Sequence, residues 1–192
     1  MLWIKICGLT TPDAVDAAVS GGADAIGFVF APSKRQVSVA QAAALAHHAI
    51  GKVVRVAVMQ HPSQALVDEV CEVFRPDALQ TDAEDFAHLK LPVHVQAIPV
   101  VRDRDVFAQL PARVLYEGRI SGSGSTADWA QARMLATSTQ LILAGGLNEA
   151  NVTDAIAVVR PFGVDVSSGV ESAPGVKDPS SIRRFIRAAR SR

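Results

Sequence analysis

Short apolar runs, most of them rich in β-branched residues, recur along the chain with alanine-rich or amphipathic stretches between them. The runs are WIKIC (3–7), DAIGFVF (24–30), VVRVAVM (53–59), DALQ (77–80), VHVQAIPV (93–100), RVLYE (113–117), QLILA (140–144) and GVDVS (163–167). Their lengths predict buried strands, and stretches such as PDAVDAAVSGG, SQALVDEVCEVF and DPSSIRRFIRAAR predict helices. Asp178-Pro179 reads as a helix start, with proline at the first helical position, and Gly21-Gly22 as the end of the first helix. Strands alternating with helices predict a parallel sheet. Eight such units close most naturally as one α/β domain over residues 1–192, a (β/α)8 barrel. That length is compact against the usual ~250 residues, so the fourth and fifth helices, around 84–89 and 103–110, are expected to be short. The alternative is an open doubly wound sheet. No GxGxxG or GxxxxGK[ST] follows the first strand, which removes the commonest ligands of that arrangement.

Alternation along a strand divides each run into two faces. Ile4 and Ile6 oppose Lys5 and Cys7; Val114 and Tyr116 oppose Leu115 and Glu117; Val164 and Val166 oppose Asp165 and Ser167. In each case an apolar pair can pack under helices while the other face ends in a polar group at the C-terminal end of the strand. In a barrel that end carries the active site. A thiol at Cys7 would then face a carboxylate at Glu117, with Asp165 beside the thiol, an arrangement suited to acid–base chemistry. Each residue alone has a plainer reading: a lone buried cysteine is usually a small hydrophobe, and a carboxylate at a strand end is often a loop cap. Cys71, inside LVDEVCEVF, reads as packing.

Two further loops belong to the same end. LAGGLN (143–148) and VSSGVES (166–172) carry glycines at 145, 146 and 169, where backbone N–H groups can approach an anion. Loops after the seventh and eighth strands are the usual phosphate site of such barrels, although glycine at a strand-to-helix turn is also common for steric reasons alone. A phosphorylated sugar fragment is the expected ligand class. APSKRQVS (31–38) places Arg35 in a loop at the same end, either as a carboxylate-binding guanidinium or as a solvated charge.

Composition narrows the field. Net charge is zero, so no basic surface points to nucleic acid. No apolar run approaches the ~18 residues of a membrane span, and the start of the chain lacks signal-peptide character. Cys7 and Cys71 make neither a disulfide framework nor a metal motif, and the five histidines show no HxxH or HExxH spacing. The expectation is a cytoplasmic protein without a metal site, with monomer and homodimer both open.

KICGLT, GADAIGFVFAPSKRQVS, GSGSTADW (122–129), LILAGGLNEANV and VDVSSGVESAPGVKD occur in order over nearly the whole chain. Together they closely resemble the phosphoribosylanthranilate isomerase family of tryptophan biosynthesis. The resemblance implies a cofactor-free Amadori rearrangement of N-(5-phosphoribosyl)anthranilate to 1-(2-carboxyphenylamino)-1-deoxyribulose 5-phosphate. It implies Cys7 as general base, Glu117 at the general-acid position and Arg35 on the anthranilate carboxylate. It also implies Asp165 near the sugar hydroxyls, and Gly145, Gly146, Ser167 and Ser168 in the phosphate loops. The chain departs from the family pattern in two places. The acid position is an aspartate in an LLD-type run, whereas VLYEG supplies Glu117, one methylene longer. QLHG becomes QTDA, which keeps Gln80 as a substrate-side residue but puts Asp82 where the histidine stands. His61, in VMQHP, receives no function. Competing expectations are a histidine-pathway relative on the same barrel, which works with paired aspartates, and a phosphate-binding barrel that has lost catalysis.

Overall fold

The structure, a computed structural model, describes residues 1–102, 110–118 and 127–191. Eight parallel strands close into a barrel in chain order: β1 (Trp3–Cys7), β2 (Ala25–Val29), β3 (Val54–Val58), β4 (Ala78–Asp82), β5 (Gln96–Arg102), β6 (Arg113–Glu117), β7 (Gln140–Leu143) and β8 (Gly163–Val166). The seam is made by β1 on β8, with Lys5 opposite Asp165 and Ile6 opposite Val166. Helices α1 (Pro12–Gly21), α2 (Val39–Ala46) and α3 (Gln64–Val73) follow the first three strands. Helices α4 (Trp129–Leu135), α5 (Val152–Val159) and α6 (Pro179–Arg190) follow the last three. A small antiparallel hairpin, β9 (Glu171–Ala173) and β10 (Val176–Lys177), precedes α6. In place of a fourth helix a 3-10 turn, Ala83–Ala87, follows β4. The expected fifth helix, and the GSGST part of GSGSTADW, lie outside the described residues.

The two faces of the strands meet different surroundings, as their alternation predicts. Ile4, Ile6, Val114, Tyr116, Val164 and Val166 are buried in the shell between sheet and helices. The barrel interior holds a smaller cluster that includes Ala25, Val56, Ala78, Ile98, Leu115 and Ile142. Two strands end later than the sequence pattern predicts. β4 runs to Asp82 and β5 begins at Gln96 and runs to Arg102. Polar ends are read as loop, yet here they are inward-facing strand termini that pair with one another.

Local signals set the helix ends. Pro12 opens α1 and Gly22, at φ +90°, closes it. Ser38 and Gln41 form a reciprocal capping box on α2. The Asp178 carboxylate accepts the N–H groups of Ser180 and Ser181 at the start of α6. α6 buries Ile182, Phe185, Ile186 and Ala189 and then latches onto the other end of the chain. Arg190 donates to Asp24 Oδ2 (2.6 Å), to the Gly22 carbonyl (3.0 Å) and to the Leu2 carbonyl, while Asp24 also accepts the Ile4 N–H. Among the described residues, no helix is long and apolar enough to cross a membrane.

The loops after β7 and β8 touch backbone to backbone. A Cβ at Gly169 would lie 1.9 Å from the Leu147 carbonyl oxygen, closer than any atom pair allows. Gly169→Ala is therefore expected to force the two loops apart and to cost on the order of 2 kcal/mol, read as a lower urea midpoint with unchanged slope. An unchanged midpoint would mean that the loops separate at no cost.

Candidate active site

The C-terminal ends of the strands surround one cleft. Its lining includes Cys7 from β1, Gln80 and Asp82 from β4, Arg102 from β5, Glu117 from β6 and Asp165 from β8, with Arg35 and Ser167 from the following loops. Of the residues expected from sequence, Cys7, Arg35, Gln80, Glu117, Asp165 and Ser167 thus share one cleft. Gly145, Gly146 and Ser168 sit just outside it, in the loops after β7 and β8. Gly145 and Gly146 are both left-handed, at φ +87° and +65°. The Gly146 carbonyl is taken by Asn151 Nδ2 at 2.9 Å.

Beneath the cleft lies Lys5, with no exposed surface. Its Nζ donates to Asp165 Oδ1 at 2.8 Å and to Gln80 Oε1 at 2.9 Å, so one ammonium joins β1, β4 and β8 across the barrel. Burial pushes this ammonium down, but the charge of Asp165, with help from Cys7 and the Asp165 hydrogen bond, outweighs it and leaves the pKa at about 12. Cys7, next but one on the same strand face, is pushed up: burial dominates, the Lys5 charge pulls the other way and Asp165 adds to the rise.

On the β8 side, Glu171 gathers the basic groups. Arg35 donates from Nε to Oε1 (2.6 Å) and from Nη2 to Oε2 (3.1 Å). Lys177 Nζ donates to Glu171 Oε1 (2.6 Å) and to the Ser167 carbonyl (2.9 Å). Burial alone would raise the Glu171 carboxyl; the hydrogen bonds from Arg35, Lys177 and the Gly175 N–H more than reverse that and hold it at about 2. Gly8, just after Cys7 and at φ +74°, lets this arrangement fold over β1: a Cβ there would stand 2.6 Å from the Arg35 Cδ. The glycine of KICGLT is thus both the turn and the bed for the arginine stem.

The opposite wall is built differently. Arg102 Nη1 lies 2.5 Å from Asp82 Oδ1, and its Nη2 lies 3.2 Å from Glu117 Oε1. Behind Asp82 stands His61, whose Nε2 is 3.2 Å from Asp82 Oδ2 and whose Nδ1 is 3.0 Å from Asp85 Oδ1. The Asp85 hydrogen bond is the main cause of a raised His61 pKa. His61, Glu84 and Asp85 also have metal-ligand spacing, but they sit at the exposed rim and His61 and Asp85 already bond each other.

Lys5, Arg102, Glu171 and Lys177 are the cleft's charged supports that sequence reading did not single out. Lys5 carried a signal, since it shares the face of Cys7. Arg102 lay past the expected end of its strand. The Glu171 cluster joins residues up to 136 positions apart, which no local pattern reveals.

Comparison with known proteins agrees with this geometry. The family described as "N-(5'phosphoribosyl)anthranilate (PRA) isomerase" matches residues 4–188. The N-(5'-phosphoribosyl)anthranilate isomerase of Bradyrhizobium sp. (strain ORS 278) is 39% identical over 211 residues, covering 99% of this chain and 96% of that one. The enzyme of the same name from Streptococcus pneumoniae (strain Taiwan19F-14) is 43% identical over 189 residues, covering 97% and 94%. The crystal structure of TrpF from Jonesia denitrificans superposes with a TM-score of 0.84 at 34% identity, covering 100% of this chain and 98% of that one. A phosphoribosyl anthranilate isomerase solved in complex with reduced 1-(o-carboxyphenylamino)-1-deoxyribulose 5-phosphate gives 0.80 at 31%, with full coverage of both chains. With this fold, this cleft and relatives matched from end to end, the chain belongs to the N-(5'-phosphoribosyl)anthranilate isomerase family.

Proposed function

We propose that this chain converts N-(5-phosphoribosyl)anthranilate to 1-(2-carboxyphenylamino)-1-deoxyribulose 5-phosphate, the aldose–ketose isomerisation of tryptophan biosynthesis, in the cytoplasm. The observation that carries the reading is one cleft lined by the Cys7 thiol and the Glu117 carboxyl from strands β1 and β6, with Arg35 and Asp165 between them.

In this reading Glu117, as the acid, gives its proton to the furanose ring oxygen. The bond from that oxygen to C1′ breaks, and the nitrogen lone pair closes an iminium. The Cys7 thiolate then takes the proton from C2′, and the C–H electrons move into the C1′–C2′ bond to neutralise the iminium. The resulting enolamine tautomerises to the ketone, so hydrogen is only redistributed and no external oxidant is used. A carbon acid beside an iminium needs only a moderate base, which a thiolate supplies.

The departures from the family pattern keep a carboxyl at the acid position. Glu117 reaches one methylene further than aspartate, and Arg102 bridges its carboxylate to Asp82. On the far side, Glu171 occupies the Nε edge of Arg35. In this reading Arg35 meets the anthranilate carboxylate through the Nη end that Glu171 leaves open. The phosphate is assigned to Ser167, Ser168 and the Gly145-Gly146 turn, where the two glycine loops meet.

Turnover of freshly prepared phosphoribosylanthranilate, followed by its fluorescence decay, tests the reading directly; folded protein without turnover would overturn it. Cys7→Ala is expected to lower kcat about a thousandfold with KM little changed, and Glu117→Gln about a hundredfold or more. A variant of either kind with normal kcat would move that role to another residue. Arg35→Ala, which leaves Glu171 paired with Lys177, should raise KM roughly ten- to hundredfold. An unchanged KM would remove Arg35 from the substrate.

A further inference from the structure

A thiol that must act as a base is here almost fully buried, at 6% exposure, where its charged form is disfavoured. Lys5 is the group placed to offset that. Two residues apart on one strand, Lys5 and Cys7 point to the same side. Across from Cys7 in the β1–β2 register stands Gly27. A Cβ on Gly27 would meet Cys7 Sγ at 3.0 Å, Lys5 Cε at 3.0 Å and Lys5 Nζ at 3.3 Å. Thiol and ammonium therefore crowd together over the bare face of that glycine. Of the three ammonium protons, Asp165 and Gln80 accept two. That leaves one for the neighbouring Cys7 sulfur, which crowds the same face of Gly27.

We propose that Lys5 is the positioning residue for the general base: held by Gln80 and Asp165, its ammonium stabilises the Cys7 thiolate from below. The proposal rests on Cys7 as the base of the reaction above. Lys5 neither gives nor takes a net proton. When the thiolate accepts the C2′ proton it becomes a neutral thiol, and the ammonium keeps its charge through its ion pair with Asp165. A purely structural role accounts poorly for this lysine, since a buried ion pair is seldom more stabilising than an apolar pair of similar size.

The signs of the surrounding charges make the idea testable. Lys5 on β1 and Lys177 on β10 favour the thiolate, whereas Asp165 on β8 opposes it. Arg35 also senses Cys7, from the loop after β2, with its charge shared by Glu171. Asp82, Arg102 and Glu117 line the far wall.

In a Cys71→Ser background Cys7 is the sole thiol of the chain. Its alkylation by iodoacetamide is then measured against pH, with no substrate present. Lys5→Met is expected to move the half-point of that profile up by about one pH unit or more, lowering the rate at pH 7 about tenfold. Asp165→Asn is expected to move it down, and the double variant to lie between the two. The ascending limb of kcat/KM should follow the Lys5→Met shift upward with KM little changed. Should Lys5→Met fail to fold, Gly27→Ala keeps every charge, separates the pair and should give a smaller upward shift. Half-points that stay put in these variants, or an Asp165→Asn shift upward, overturn the proposal. Because alkylation needs no turnover, an inactive protein with the expected shifts would sink the isomerase reading alone.

Discussion

One ammonium inside the barrel, that of Lys5, sets the geometry on which the cleft depends. It reaches from the closing seam between β1 and β8 to the opposite strand β4, through Asp165 and Gln80. Removing either partner of such a buried ion pair typically costs about 3–5 kcal/mol, because the remaining charge is left without compensation. The same contact fixes three side chains at the floor of the cleft at once. Asp165 and Gln80 each accept from Lys5 while still lining the cavity. Floor and closure are therefore one construction, and a change that loosens the seam also moves the reacting wall.

Two charged assemblies rise from that floor. On one side Glu171 draws in Arg35 and Lys177; on the other Arg102 draws in Asp82 and Glu117. The first centres an anion among cations and the second a cation among anions. The cleft therefore presents basic groups on one side and acidic groups on the other, the division that the proposed reaction uses. With a net formal charge of zero, this polarity comes from local pairing alone and is little screened, since most of these groups are shielded from water.

Much of this was legible from the chain. Period-two alternation put Cys7, Glu117 and Asp165 on inward faces, because the apolar neighbours Ile4, Ile6, Val114, Tyr116, Val164 and Val166 need the helices. Asp82 and Arg102 were not legible as strand ends: a polar residue after a short apolar run reads as loop, and only the partner strand shows that the two neutralise each other. The Glu171 cluster was invisible for another reason. Hydrogen bonds between distant positions leave no period in the sequence, and the PG.KD stretch that carries Lys177 looks like an ordinary turn before a helix. Gly8 was legible as a turn, but its second role under the Arg35 stem depends on a contact across loops.

The latch formed by Arg190 bears on how the molecule is made. Its guanidinium, two residues from the end of the chain, grips the Leu2 and Gly22 carbonyls and Asp24 at the beginning. One edge of β1 pairs with β8 and the base of the strand is gripped from α6, so the ring stays open until Gly163–Val166 have been made. Leu2 and Arg190 thus lie side by side at the N-terminal end of β1, on the face away from the cleft. A covalent link between these two positions, with a cut in a loop elsewhere, would keep the barrel's contacts in place, so the ring itself is compatible with circular permutation.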